Sequence, residues 1–262
     1  MNQKNYLQFP FGSTCVLQIQ NENVICELAV STIEIYQSLN FRNEKDFTTP
    51  LVIKFENPNI QSYALSNYSF SVEHICVGEN KIIEKMYVQA ASNSKANFIQ
   101  AFSSYDFVIL APIGFIEKYT LTEKETTINA VTTELLNEYK ATDFIVHNSD
   151  IKIKIEETDK TLEDLLQKHD VKSWAFITAF NPYSKVLTVD ENNSFHKNLI
   201  DLTSNYTVFE GEGKGQNPDW IPEKSLLILG ISREEAFKMG KHLNQNAIVF
   251  GEKGSKAELL LV

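Results

Sequence analysis

The sequence predicts an α+β protein of two domains with mixed, largely antiparallel sheets. Three observations carry that expectation. Alternating apolar runs separated by short polar turns fill the first half. In the second half strand-like and helix-like patterns follow one another through hairpins as well as helical crossovers. Between them lies the polar run LTEKETTINAVTTE, residues 121–134. Placing the boundary in this run gives a β-rich domain over 1–125 and an α+β domain over 130–262. With 262 residues, 43% of them hydrophobic, each half has enough apolar mass for a core.

The first domain opens with TCVLQIQ and VICELAV on either side of Asn21-Glu22-Asn23, the pattern of a β-hairpin. Ser31 and Glu34 have capping-box spacing. The serine oxygen can accept the Glu34 N–H while the carboxylate returns to the Ser31 N–H, which opens a helix to about Phe41. Strands are expected at LVIKF, FSVEHICV, IIEKMYV and YDFVILA, with a short helix near Lys95 to Phe102.

The second domain reads as a helix over 130–141 beginning near Ala130, strands near 143–147 and 151–156, and a helix over 160–169. A strand over 174–179, a helix over 191–203, and strands over 206–211 and 225–231 follow. A helix over 232–243 and strands over 246–250 and 257–261 complete it. Ser232 with Glu235 is a second capping box. Phe195, Leu199 and Leu202 fall at i, i+4 and i+7, the spacing of a buried helical face.

Charge and cysteine usage narrow the function classes. The formal net charge is −10, acidic residues outnumber basic ones in both halves, and Arg42 and Arg233 are the two arginines. Nucleic-acid binding rests on Lys and Arg neutralising phosphates, so this balance speaks against it. Lys152 and Lys154 alternate on one strand face, which fits a solvated face as well as a basic groove. No run of eighteen apolar residues suggests a membrane span, and MNQKNYLQF lacks the basic start and apolar run of a signal peptide. Cys15, Cys26 and Cys76 are odd in number and confined to apolar stretches of the first half, which points to a reducing, cytoplasmic location.

From about Glu134 to Val262 the chain resembles a bacterial family known as domain of unknown function 3293. The resemblance is carried by ELLNEYKATDF, WAFITAFNPYS, a helix start at Asn192, GEGKGQNPDWIPEKSLLILGI and AFKMGKHLNQNAIVFG. Over roughly Cys15 to Glu117 the chain looks like a diverged member of the domain of unknown function 192 family, through ELAVSTIEIYQSLNFR, PLVIKFENP and SYALSNYSFSVEHICV. That family's Gly-Leu-Met, aromatic-Met-Lys-Asn and Pro-Leu-Asp signatures are replaced here by Ser38-Leu39-Asn40, Tyr63-Ala64-Leu65-Ser66-Asn67 and Phe70-Ser71-Val72-Glu73. The drift points to a structural or partner-binding role for this half. Neither resemblance brings a reaction with it.

Several motifs suggest chemistry, and each has a plainer reading. Gly211-Glu212-Gly213-Lys214-Gly215 looks like a phosphate cradle, but Gln216-Asn217-Pro218 follows instead of a helix, so a flexible turn is expected. Asp201 and the later Glu212-Gly213-Lys214 have the spacing of a metal-dependent nuclease, yet Asp201 falls late in a helix. His74, His147, His169, His196 and His242 are not paired at metal-ligand spacing, no metal site is predicted, and Ser184 has no G-x-S-x-G context. No cofactor can be read from the sequence, and no catalytic residue is assigned.

What remains is a polar set in the turns beside apolar strands, with Thr178, Asn181, Ser184, Glu210, Trp220, Glu223 and Ser225 as its members. Asn181 before Pro182 can cap its own turn, Trp220 offers a flat face with one indole donor, and Gln245-Asn246 puts two amides at a strand edge. Core closure is the plain reading of Trp220. The sharper expectation is that Asn181, Trp220, Glu223 and Gln245 converge as a ligand-binding surface. The protein would then be a noncatalytic binding or interaction protein, recognising a small polar or nucleotide-like ligand or a protein partner. The alternative is a hydrolase or nuclease acting on nucleotides through Glu210, Glu212 and Glu223.

Overall fold

The computed structural model describes residues 13–19, 22–30, 34, 39, 42–54, 62–65, 70–78, 81–88, 97–100, 106–216 and 220–262. The fold is α+β in two units, Met1–Thr133 and Glu134–Val262. In the first unit the strands are β1 (Thr14–Ile19), β2 (Glu22–Ala29), β3 (Leu51–Ile53), β4 (Ser62–Leu65), β5 (Val72–Gly78), β6 (Lys81–Val88), β7 (Asn97–Gln100), β8 (Phe107–Ala111) and β9 (Ile128–Thr132), with a single-turn helix α1 (Phe115–Lys118). Seven of them form one sheet in the order β6-β5-β8-β3-β2-β1-β9, and β4 pairs separately with β7. The β2–β3 pair is parallel and its described neighbours are antiparallel.

This sheet curls until its edges meet. Lys81 bridges Thr127 just before β9, and the Lys124 N–H donates to the Ile82 carbonyl at 2.8 Å. The inward positions alternate as strand geometry requires: Cys15, Leu17 and Ile19 on β1, Ile75 and Val77 on β5, Phe107 and Ile109 on β8. Phe115 of α1 packs into the same core. The Glu73 carboxylate accepts the Gly114 and Ile116 N–H groups at 2.9 and 2.7 Å, satisfying donors at the start of α1.

In the second unit α2 (Thr133–Ala141) leads into β10 (Asp143–Val146), β11 (Lys152–Ile153), α3 (Lys160–Lys168) and β12 (Ser173–Thr178). α4 (Val189–Leu202), β13 (Thr207–Lys214), β14 (Glu223–Leu229), α5 (Arg233–His242), β15 (Ala247–Glu252) and β16 (Glu258–Leu261) follow. The sheet order is β11-β10-β13-β14-β12-β15-β16, antiparallel throughout. Both faces are buried. Trp174, Phe176, Leu227, Leu229 and Val249 pack with Leu162 and Leu166 of α3, whereas Ala175, Ile177, Leu226, Ile228 and Phe250 pack with Leu199 of α4 and Ala236 of α5. This explains the near-continuous apolar runs of β12 and β14, which a sheet with one wet face would not need.

Four expectations are corrected. Residues 97–100 are strand rather than helix, because NFIQ pairs with a segment some 35 residues away that local pattern cannot reveal. Residues 128–132 are strand, paired from Cys15↔Thr132 to Ile19↔Ile128, so the helix starts at Thr133 and not near Ala130. Glu212-Gly213-Lys214 continues β13 instead of forming a flexible turn. A Cβ on Gly211 would lie 2.4 Å from the Ile145 carbonyl and 2.9 Å from the Phe176 ring, so glycine there admits a close strand and ring, not a phosphate. Finally, Leu199 is buried but Phe195 and Leu202 are 37% and 40% exposed. The inward face of α4 is Asn192, His196, Leu199 and the capping Thr203. The expected Ser31 capping box lies outside the described residues, apart from Glu34, whose carboxylate accepts the Val30 N–H at 2.9 Å. The Ser232–Glu235 box is present at the start of α5.

Candidate functional site

Beyond β12 the chain enters Asn181-Pro182-Tyr183-Ser184, where Asn181, Tyr183 and Ser184 have φ of 46°, 53° and 56°. Asparagine tolerates the left-handed region; tyrosine and serine adopt it only when their surroundings fix them there. The fixing contacts are explicit. The Asn181 N–H donates to Asn192 Oδ1 at 2.8 Å, and Asn181 Oδ1 accepts from the Leu187 N–H and Asn192 Nδ2, each at 3.0 Å. The Tyr183 N–H and hydroxyl donate to the carbonyl and side-chain oxygens of Asn244, at 2.8 and 3.1 Å. Ser184 Oγ accepts from Asn246 Nδ2 at 2.9 Å. Tyr139 shares that pair through its hydroxyl, and burial pushes its pKa up.

Glu223 opens β14 and accepts from Asn181 Nδ2 at 2.7 Å. Burial raises its pKa above the ordinary carboxylate range, while hydrogen bonds from Asn181 and the Trp220 indole partly oppose the rise. The structure therefore brings Asn181, Trp220 and Glu223 together. Gln245 joins them one step removed: it is buried, and its Nε2 donates to the Phe180 carbonyl at 3.1 Å.

In front of this network is a cleft of about 280 Å³, lined chiefly by Phe180, Val186, Leu187, Trp220, Ile221 and Pro222, with Asn181, Asn192, Asn193 and Lys224 as its polar members and Val189 at the helix start. Asn181 and Trp220 line it; Glu223 and Gln245 stand behind the wall. Val186, Ile221 and Val189 are 78%, 73% and 68% exposed, so an apolar rim faces solvent there. Asn192, Asn193 and Lys224 escaped sequence reasoning. The available signal was Asn192 at i, i+4 and i+7 with His196 and Leu199, a polar residue on an inward face. The helix itself begins from Thr188, whose capping box with Glu191 is complete, and not at Asn192.

Other candidate groups do not join the cleft. Thr178 Oγ1 donates to the Lys224 carbonyl at 2.8 Å, and Ser225 Oγ to the Glu223 carbonyl at 3.0 Å, so both serve the backbone. His196 is buried edge-on against Phe180, and its pKa is lowered first by burial and then by the Lys224 cation, against an opposing pull from Glu210. Glu210 and Glu212 lie opposite Leu226 and Lys224 in register, on the face that carries α4. Glu223, opposite Gly213, points to the other face. The three carboxylates do not converge. Glu212 instead faces His147 at 3.6 Å, Asp201 is exposed on α4, and no trio of His, Cys, Asp or Glu able to hold a metal ion occurs among the described residues.

Residues 177–248 match the sequence family described as "Protein of unknown function (DUF3293)", so the match encloses the whole cleft. No curated protein matches the chain. Among solved structures, the chain is similar to a protein of unknown function from Novosphingobium aromaticivorans, with 15% identity and a TM-score of 0.35 over 44% of this chain and 83% of that one. It is also similar to a Sinorhizobium meliloti protein provisionally described as a transcription regulator, with 13% identity and a TM-score of 0.38 over 45% and 92%. A third likeness, to a hypothetical protein from Synechocystis, has 10% identity and a TM-score of 0.32 over 95% of this chain and 38% of that one. These likenesses leave the assignment at the family match: the C-terminal part of the chain resembles a protein family of unknown function.

Proposed function

We propose that the C-terminal unit is a noncatalytic binding module whose ligand sits in the cleft between the Asn181–Val189 segment, the start of α4 and the Trp220–Lys224 segment. One observation carries this reading. A concave apolar surface has as one wall Asn181, held in a left-handed conformation at the head of the strained Asn181–Ser184 turn, and the nearby carboxylate, Glu223, is pinned behind it by Asn181 and Trp220. Strain that neighbouring contacts hold in place is characteristic of positions where geometry matters more than stability. Apolar walls with few convergent polar groups suit recognition of a small ring-bearing ligand. The exposed Val186, Val189 and Ile221 also suit a side chain presented by a protein partner, a second use of the same surface.

The N-terminal unit enters the proposal as a structural or partner-binding part, in keeping with its drifted resemblance to the domain of unknown function 192 family. Three buried cysteines free of disulfides support a cytoplasmic setting, and no helix of the described residues is long and apolar enough to cross a membrane. An NMR screen with small ring compounds tests the binding reading. Shifts should concentrate on residues 180–193 and 220–224, and Trp220→Ala should abolish them without loss of fold. Shifts confined to other surfaces would refute it.

A further inference from the structure

The cleft contains one kind of charge. Lys224 is the only charged side chain among its described lining residues. Its Nζ donates to Asn193 Oδ1 at 3.1 Å, a neutral acceptor that engages one of three ammonium hydrogens. No described carboxylate lies within ion-pair distance of it. Glu212, opposite in register, faces His147, and Glu191 at the start of α4 is occupied by its capping box. In a chain with ten more acidic than basic side chains, a lysine kept clear of carboxylates at the edge of an apolar cleft is a deliberate-looking arrangement. An ammonium beside low-dielectric walls attracts an anion more strongly than one surrounded by water.

We infer that the cleft takes a small amphiphilic anion with a single acidic head group: a flat or branched apolar body set against Phe180, Leu187 and Trp220, with a carboxylate or phosphate head on Lys224 and the Asn193 amide. The inference rests on the reading of the cleft as a binding site. Size fits it: a volume of 280 Å³ corresponds to about nine waters at ~30 Å³ each, room for a two-ring body and its head group. Charge number fits it too, since a single lysine matches one anionic group and leaves a polyphosphate chain without partners. The Trp220 face can stack on a ring while its indole N–H stays on Glu223.

Three probes with the same body separate the possibilities in the full-length chain: 1-naphthoate, 1-naphthyl phosphate and the neutral 1-naphthalenemethanol. Binding is read by calorimetry and by the Trp220 indole NMR signal, assigned with Trp220→Phe. At least one anion should bind about tenfold or more tightly than the alcohol, and the tighter of the two identifies the head group. Lys224→Met should erase that preference while leaving the alcohol within about twofold. Asn193→Asp, which places a carboxylate beside Lys224, should weaken the anions as well. Equal binding of all three probes, or anion binding indifferent to both substitutions, overturns the anion inference while leaving a binding cleft. Failure of every probe to shift the Trp220 indole overturns the binding reading itself.

Discussion

The two units handle buried polar groups in opposite ways. In the N-terminal unit His74, on β5, is fully buried, and burial lowers its pKa to about 4; Cys76 beside it is pushed up to about 12. Buried Arg42 forks onto Glu27 at 2.9 and 2.5 Å. Groups in that interior are kept neutral or paired. In the C-terminal unit one corner joins Asn181, Asn192 and Glu223 by side-chain hydrogen bonds beside a strained turn, with Tyr139 bonded to Ser184 and Asn246 and Gln245 to the Phe180 carbonyl next to them. A core needs polar groups silenced, whereas the proposed recognition surface needs them held in orientation; left-handed non-glycine backbone occurs in both units, at Thr120 and Lys124 in the first and at Tyr183 and Ser184 beside this corner in the second.

The largest effect should come from the sheet on which that corner is mounted. Phe176, 3% exposed, packs edge-on against Phe144 and lies over Gly211. Phe176→Ala should cost about 3–5 kcal/mol, measured as a fall in the denaturation midpoint. If the units are separate cooperative bodies, residues 134–262 expressed alone will melt cooperatively, and the same substitution will lower that melt by a comparable amount. A fragment that aggregates unless residues 1–133 are supplied would erase the comparison, because the two interiors would be one.

Within the C-terminal unit, α4 offers a finer contrast. Leu199→Ala should cost about 2–5 kcal/mol, while Phe195→Ala, on the solvent side, should cost under about 1 kcal/mol. Equal losses would mean that Phe195 is covered in solution by something other than this unit.

Acid should act on the N-terminal unit through His74. Its folded pKa lies below the ordinary histidine value, so its contribution is present above about pH 6.5 and is lost as pH falls toward about 4. The shift corresponds to roughly 3 kcal/mol. His74→Phe, which cannot take up a proton, should flatten the fall in stability across this window. An unchanged acid slope would assign the loss to other groups.

The sequence made the C-terminal elements readable because both capping-box pattern and strong apolar alternation are local. Strands β10, β12 and β14 to β16 and helices α3 to α5 fall within a few residues of where those patterns place them, whereas β11 is shorter than the expected 151–156 and β13 longer than the expected 206–211. What escaped was set by distant partners. β9 is strand because β1 is available to pair with it, and Gly211 and Gly213 extend β13 because β10 and the Phe176 ring approach closely. The site was legible in part. Asn181 and Trp220 announce themselves as turn and exposed aromatic, but Lys224 looks like any strand-end lysine until Asn193, 31 residues earlier, is found beside it. The burial of Glu223 is equally a tertiary property.

The smallest stability effect, and the sharpest test of the contrast, belongs to Glu223. Its folded pKa is raised, so its contribution is fully present below the ordinary carboxylate value and is lost as pH rises through the raised one, the reverse of His74. Glu223→Gln removes the buried charge but keeps only one acceptor for two donors, Asn181 Nδ2 and the Trp220 indole. Near neutral pH these changes oppose each other, and stability should stay within about 1 kcal/mol of wild type. Relative to wild type the variant should gain as pH rises through the Glu223 transition and level off beyond it. Because Trp220 loses part of its anchor, naphthoate binding should weaken even though the melting temperature hardly moves. If binding and melting temperature fall together, the Glu223 network is structural packing like the N-terminal interior, and the distinction between the two units disappears.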